Sequence, residues 1–202
     1  MEISTAAGPA RVTVDRGGRD GADPAFWLAL THSSNGGVDA PDLLAVRDAA
    51  LRLGGAVAMV VQPFRAAGRR APGPADRQDA AWLEVIATLR ERCYGDLPLI
   101  QGGRSNGARV ACRTAVAAGA LAVIALAFPL RPPARPDRSR VAELRGAGVP
   151  VLVVNGARDP FGVPDPADAT CVHVLPREGH DLAKAPAAIG DVAADWLRRW
   201  TA

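Results

Sequence analysis

The chain has 202 residues, which is enough for one well-buried core and short for two. Apolar residues make up 49% and charged residues 22%, proportions that are typical of a globular domain and exclude extensive disorder. The net charge is only +3 and aromatic residues are 4%. Because the arginines are scattered, we do not expect the basic stripe or the stacking platform of a nucleic-acid-binding protein.

The cysteines and the hydrophobic pattern indicate a compartment. Cys93, Cys112 and Cys171 are odd in number and lack metal-ligand spacing, so we expect reduced thiols in a reducing compartment. The N-terminal residues do not have the pattern of a secretory signal, and no stretch of about 18 apolar residues is free of charge. The sequence therefore predicts a cytoplasmic location and no membrane partner.

Short apolar runs alternate with longer amphipathic runs along the chain. The predicted strands are Arg11–Val14, Ala25–Thr31, Ala56–Val61, Pro98–Gln101, Leu121–Phe128, Val149–Val154 and Ala169–Leu175. The predicted helices are Pro41–Leu53, Asp79–Cys93, Asn106–Ala118, Arg138–Arg145 and Pro186–Trp200. Apolar strands separated by helices predict an α/β fold, a mainly parallel sheet with helices on both faces. The first strand is expected to be an antiparallel edge, and residues 1–202 are expected to form one domain.

Two segments rich in arginine and proline interrupt this pattern. The residues between Gln62 and Gln78 are interpreted as a surface loop, and Arg131–Arg140 as a second one. The chain has little sequence left for a lid. Pro63–Pro74 and Leu130–Arg140 are therefore expected to edge an open site.

A candidate nucleophile lies between a predicted strand and a predicted helix. Gly103, Ser105 and Gly107 form a G-x-S-x-G motif in a strand–turn–helix setting. A nucleophilic serine needs such a tight turn, and small flanking residues let the helix pass close to the strand. The alternative is a glycine-rich turn whose serine caps the helix.

A serine nucleophile needs a base, and three histidines are available. His180 lies in a loop between the last strand and the last helix, which makes it the candidate base. His173 lies inside a strand between two valines and is interpreted as a strand residue. His32 is expected to shape its loop, and an exposed loop position is the alternative for His180.

The acidic partner is expected directly after a strand and before the histidine. Asp159 follows the strand Val149–Val154 and satisfies both conditions. Asp165 and Asp168 lie further from the strand end, and Asp181 adjoins the histidine and would have to fold back. These three are interpreted as surface charges.

Two backbone N–H groups are needed to bind the oxyanion of an acyl-transfer reaction. One is expected from Asn106, the residue after the nucleophile. The other is expected from Ser33 or Ser34, in the glycine-containing loop after the strand Ala25–Thr31. A plain Ser/Asn/Gly turn is the alternative for this loop.

Five segments carry a resemblance to a known family: LTHSSNGG at Leu30–Gly37, GGRSNGAR at Gly102–Arg109, FPLRPP at Phe128–Pro133, NGARDPFG at Asn155–Gly162 and GHDL at Gly179–Leu182. With the order serine, aspartate, histidine, they resemble small α/β-hydrolases related to dienelactone hydrolases. More closely, the chain resembles a bacterial branch grouped with eukaryotic testis-expressed and histone-acetyltransferase-complex hydrolase-like subunits. Asn106 replaces the family's usual methionine, and Ser33 and Ser34 replace small residues. The resemblance implies an α/β-hydrolase fold, and the small size of the chain predicts a minimal lid.

The residues together predict a serine hydrolase of a small-molecule ester or thioester. Ser105, His180 and Asp159 would act through an acyl-enzyme, without a cofactor or a metal ion. The alternative is a catalytically silent binding or scaffold protein that keeps the fold. Arg104 is expected either to meet an acidic substrate group or to pair with a carboxylate at the core edge.

Overall fold

The computed structural model describes residues 1–17 and 23–201. The strands are β1 (Glu2–Ile3), β2 (Ala10–Arg16), β3 (Trp27–Thr31), β4 (Ala56–Val61), β5 (Leu99–Arg104), β6 (Ala120–Leu126), β7 (Val151–Gly156) and β8 (Cys171–Leu175). The α-helices are α1 (Pro41–Arg52), α2 (Pro63–Ala66), α3 (Ala75–Leu89), α4 (Asn106–Thr114), α5 (Val141–Arg145) and α6 (Pro186–Thr201). A π-helical turn at Arg90–Tyr94 and a 3-10 turn at Pro166–Asp168 complete the described elements.

The strands form one sheet in the order β1-β2-β4-β3-β5-β6-β7-β8. Strands β3 to β8 pair in parallel, whereas β2 pairs antiparallel with β4 and β1 pairs antiparallel with β2. The carboxyl ends of β3, β5, β7 and β8 therefore meet at one edge of the sheet. In a parallel sheet, ligand sites are built at this edge.

Alternate residues of each buried strand pack on opposite faces of the sheet. Trp27 and Ala29 of β3 belong to a core shared with α3, α4 and α5, and Leu28 and Leu30 belong to a core shared with α1 and α6. Both faces of the sheet are thus covered, which explains why the parallel strands are apolar throughout. The predicted α/β class and its mainly parallel sheet are confirmed.

The interpretation of residues 62–78 as a surface loop was wrong in part. Helix α2 occupies Pro63–Ala66, where Pro63 starts the helix and Phe64 is buried. Helix α3 begins at Ala75, four residues before the predicted start. Proline is favourable at the first position of a helix, because its missing N–H would have no partner there.

Strand β1 and the π-helical turn were not predicted, and helix α4 is shorter than expected. The antiparallel edge strand was predicted correctly and extends over β2. No helix among the described residues is long and apolar enough to cross a membrane.

Candidate active site

Ser105 lies on a sharp turn between β5 and α4. Its φ of 53° is positive, which costs a non-glycine residue ~1–3 kcal/mol and persists where the surroundings enforce it. A Cβ on Gly103 would lie 2.6 Å from the carbonyl carbon of Gly107, and one on Gly107 would lie 2.7 Å from Thr31 O. Both glycines are therefore required by the close passage of α4 over β3 and β5, as the motif predicts.

A chain of hydrogen bonds links three polar side chains from three strand ends. The Oγ of Ser105 lies 2.9 Å from Nε2 of His180. The Nδ1 of His180 lies 2.8 Å from Oδ2 of Asp159. The structure thus brings together the three side chains that the sequence singled out.

The Asp159 carboxylate is held in place on both oxygens. Its side chain is fully buried. Oδ1 accepts the N–H of Phe161 at 2.8 Å, and Oδ2 accepts the amide of Asn155 at 3.2 Å. Asn155 is fixed in turn, because its Oδ1 accepts the N–H of Phe128 at 2.8 Å. A carboxylate with this many donors is oriented before a substrate arrives.

The other candidates for the acidic partner and for the base make different contacts. Asp165 caps the turn Pro166–Asp168, and Asp168 pairs with Arg145 at 2.7 Å. Asp181 is exposed, and His173 lies within β8 beside Val154 of β7. The structure therefore brings only Asp159 and His180, of these candidates, to Ser105 within the described residues.

The loop that carries His180 is tied to the residue before Ser105. Nη2 of Arg104 donates to the backbone O of His180 at 3.0 Å, and its Nε lies 3.0 Å from Oδ2 of Asp42. Asp42 is fully buried near the start of α1, and this burial raises its pKa to about 6. The ring of Phe161 packs on His180 with centroids 4.3 Å apart. Of the two expectations for Arg104, pairing with a carboxylate at the core edge is the one observed.

His32 fixes the loop after β3 in one orientation. Its Nε2 accepts the N–H of Gln62 at 2.9 Å, so the ring proton must be on Nδ1, which lies 2.7 Å from Ser33 O. Burial lowers the pKa of His32, which keeps the ring neutral. The His32 ring therefore shapes the loop, as expected from the sequence, through contacts with Ser33 and Gln62.

Within the described part of the chain, the three candidate oxyanion donors have backbone N–H groups without an internal acceptor. Among residues 1–17 and 23–201, the backbone N–H groups of Ser33, Ser34 and Asn106 make no hydrogen bond to the protein. All three residues line the cleft that contains Ser105 and His180. Orphan N–H groups beside a nucleophile are suited to bind developing negative charge.

The cleft above Ser105 is bordered by the two arginine- and proline-rich segments. Pro72 comes from the first segment, Pro129 precedes the second, and Arg140 ends the second. Arg109 also lines the cleft, but its guanidinium is bound by both oxygens of Glu143, at 2.5 and 2.8 Å. The segment between β6 and α5 contains no helix that could fold over this cleft.

Sequence reasoning missed several residues that support the site. Asn155, Phe161 and Gln78 contact Asp159, His180 and Asn106 respectively. The only local signal was for Asn155, a polar residue at the end of an otherwise apolar strand. The other two contacts join residues that are far apart in the sequence, so no motif or spacing indicates them.

The family model described as alpha/beta hydrolase domain matches residues 56–184, and the chain belongs to this family. The matched range begins at β4 and includes Ser105, Asp159 and His180. No curated protein sequence matches the chain.

Solved structures share the fold over nearly the whole chain. An α/β serine hydrolase without a lid from Xanthomonas campestris is 19% identical, with a TM-score of 0.76 over 100% of this chain and 94% of that one. Est1E from Butyrivibrio proteoclasticus, solved with ferulic acid bound, is 13% identical, with a TM-score of 0.80 over 99% and 98%. A dienelactone hydrolase from Anabaena variabilis is 16% identical, with a TM-score of 0.76 over 100% and 97%. At these identities the likeness establishes the fold alone.

Proposed function

We propose that the protein is a serine hydrolase that cleaves a carboxylic ester or thioester of a small-molecule substrate. The observation that carries this proposal is the pair of contacts made by His180, 2.9 Å to the Ser105 hydroxyl and 2.8 Å to the Asp159 carboxylate. In this arrangement the histidine can take the serine proton, while the carboxylate orients the ring and stabilises its positive charge.

The reaction begins when the Ser105 hydroxyl attacks the substrate carbonyl carbon and His180 Nε2 accepts the hydroxyl proton. The tetrahedral intermediate then collapses, and His180 returns this proton to the leaving alcohol or thiol. An acyl group remains on Ser105 Oγ. Water, deprotonated by the same histidine, then attacks the acyl carbon. The bond between this carbon and Ser105 Oγ breaks, the acid leaves, and His180 returns the proton to Oγ. The positive φ of Ser105 supports this role, because it raises the hydroxyl above the start of α4 as in a nucleophile elbow.

Asn106 and Ser34 are proposed as the two oxyanion donors. The carbonyl of Ser33 points to the His32 ring, which reaches toward Gln62 at the end of β4. The C=O and N–H of one trans peptide point in opposite directions. We therefore expect the Ser34 N–H to point away from β4, toward the side of β3 on which β5 and Ser105 lie. The carbonyl of His32 faces Gly107 instead, which turns the N–H of Ser33 away from α4.

A fluorophosphonate probe tests the proposal, because it reacts with activated serines. We expect one equivalent of label on Ser105 of the wild type and none on the Ser105→Ala variant. Ser139→Ala is the matched control, because Ser139 is an exposed serine of the second arginine- and proline-rich segment. No labelling of the folded wild type would instead favour the silent binding protein.

A further inference from the structure

A second cavity lies beside the cleft, between helix α3 and the turn that follows β4. The space that it encloses has a volume of about 110 Å³. One part of its wall is apolar, where Phe64, Trp82 and Val85 are each at most 4% exposed, and the rest is polar, with Gln62, Gln78 and two arginines. Because ligand pockets combine apolar walls with a few polar groups, this cavity is a candidate ligand site.

Only a thin wall separates this cavity from the candidate nucleophile. Pro72 lines both the cavity and the cleft. Gln78 lines the cavity, Asn106 lines the cleft, and the Asn106 amide donates to Oε1 of Gln78 at 2.8 Å. Since Asn106 directly follows Ser105, the cavity begins one side-chain pair away from the reacting serine.

We infer that this cavity receives the acyl chain of the substrate, which makes esters of medium-length unbranched acids better substrates than acetate. The inference rests on the proposed function. When the Asn106 N–H binds the substrate carbonyl oxygen, the acyl chain extends past Asn106 into the cavity. For this, the hydrogen bond between the Asn106 amide and Gln78 opens. The alcohol leaves beside His180. The Nε2 of Gln78 donates to Gly73 O at 2.9 Å and to Pro74 O at 3.3 Å, so the inference requires the Gln78 side chain to move away from Asn106 when the acyl chain enters.

The kcat/KM values of p-nitrophenyl acetate, butyrate, hexanoate and octanoate test this inference. In the wild type, kcat/KM should rise about fourfold for each methylene that enters the cavity. Ala81 lines the cavity and is 2% exposed, so Ala81→Phe fills it. This variant should hydrolyse acetate within about threefold of the wild type and lose the gain with chain length. Ala80→Phe, at an exposed position of the same helix, is the matched control and should keep the wild-type profile.

Binding of octanoate to the Ser105→Ala variant, measured by calorimetry, gives a readout that needs no turnover. Adding Ala81→Phe should abolish this binding, and adding Ala80→Phe should leave it unchanged; Ala81→Leu replaces Ala81→Phe if the larger side chain prevents folding. A flat wild-type profile, or one that Ala81→Phe leaves unchanged, would overturn the inference while acetate hydrolysis still supports the proposed function. Loss of acetate hydrolysis and of probe labelling in the wild type would instead overturn the proposed function.

Discussion

Arg104 and His180 are joined by a hydrogen bond of 3.0 Å from a guanidinium nitrogen to a backbone oxygen. The residue before the candidate nucleophile thus holds the loop of the candidate base. Because Nε of the same guanidinium lies 3.0 Å from buried Asp42, the start of α1 also supports this loop. We therefore expect the spacing of Ser105 and His180 to depend on the ion pair between Arg104 and Asp42.

Replacing Arg104 with methionine should lower kcat by about 10- to 100-fold with little change in KM, because the His180 loop loses its anchor. The variant should also unfold more readily, since removing one partner of a buried ion pair typically costs about 3–5 kcal/mol. Arg131→Met, at an exposed position, is the control. Steady-state kinetics and urea unfolding measure both effects, and a variant with unchanged kcat would show that the bond does not position the loop.

Asp42 should make stability depend on pH in a defined window. Its pKa rises from 3.8 unfolded to about 6 in the folded protein, mainly through burial. The folded state therefore holds a proton that the unfolded state releases, and the stability contribution present below pH 4 is lost as pH rises to about 6. The size of this loss is on the order of 3 kcal/mol.

Urea unfolding of the wild type and of Asp42→Asn between pH 4 and 7 measures this effect. The wild type should lose free energy of unfolding relative to the variant as pH rises to about 6, and the difference should then stay constant. Parallel curves across the whole range would show that Asp42 does not titrate in this window.

His32→Ala should lower kcat by about 10²–10³-fold, the usual cost of losing one oxyanion donor. The reason is that Nδ1 of His32 holds the Ser33 carbonyl and so aims the Ser34 N–H. KM for a p-nitrophenyl ester should change little, since the side chain does not line the cleft. His173→Ala in strand β8 is the matched control, and an equal effect of both variants on kcat would argue against this role of His32.

Asn155→Ala should lower kcat about tenfold and reduce stability by roughly 1–3 kcal/mol. The change leaves the buried Phe128 N–H without its acceptor and removes a donor to Asp159. Kinetics and thermal unfolding measure the two effects. Asn155→Asp keeps the acceptor for Phe128 but places a second carboxylate beside Asp159. Repulsion between the two carboxylates should offset part of the stability that the retained acceptor restores.

The sequence predicted the parts of the fold that depend on local pattern. The G-x-S-x-G motif located Ser105 because a serine with positive φ between two close-packed elements needs both glycines. Helix α2 was missed because proline, arginine and glycine dominate residues 62–78, and its two buried residues, Pro63 and Phe64, are too few to show a periodicity. Asp42 and Gln78 were missed for another reason: their partners are far away in sequence, and only the folded sheet brings Asp42 to Arg104 and Gln78 to Asn106.

The most direct measurement of the central claim is the kcat/KM of the wild type, Ser105→Ala, His180→Ala and Asp159→Asn with one p-nitrophenyl ester. We predict that each variant falls by about 10⁴-fold or more, because residues that act as one unit lose nearly all activity singly. Circular dichroism of each variant confirms that it is folded. A folded Ser105→Ala variant with the kcat/KM of the wild type would contradict the account.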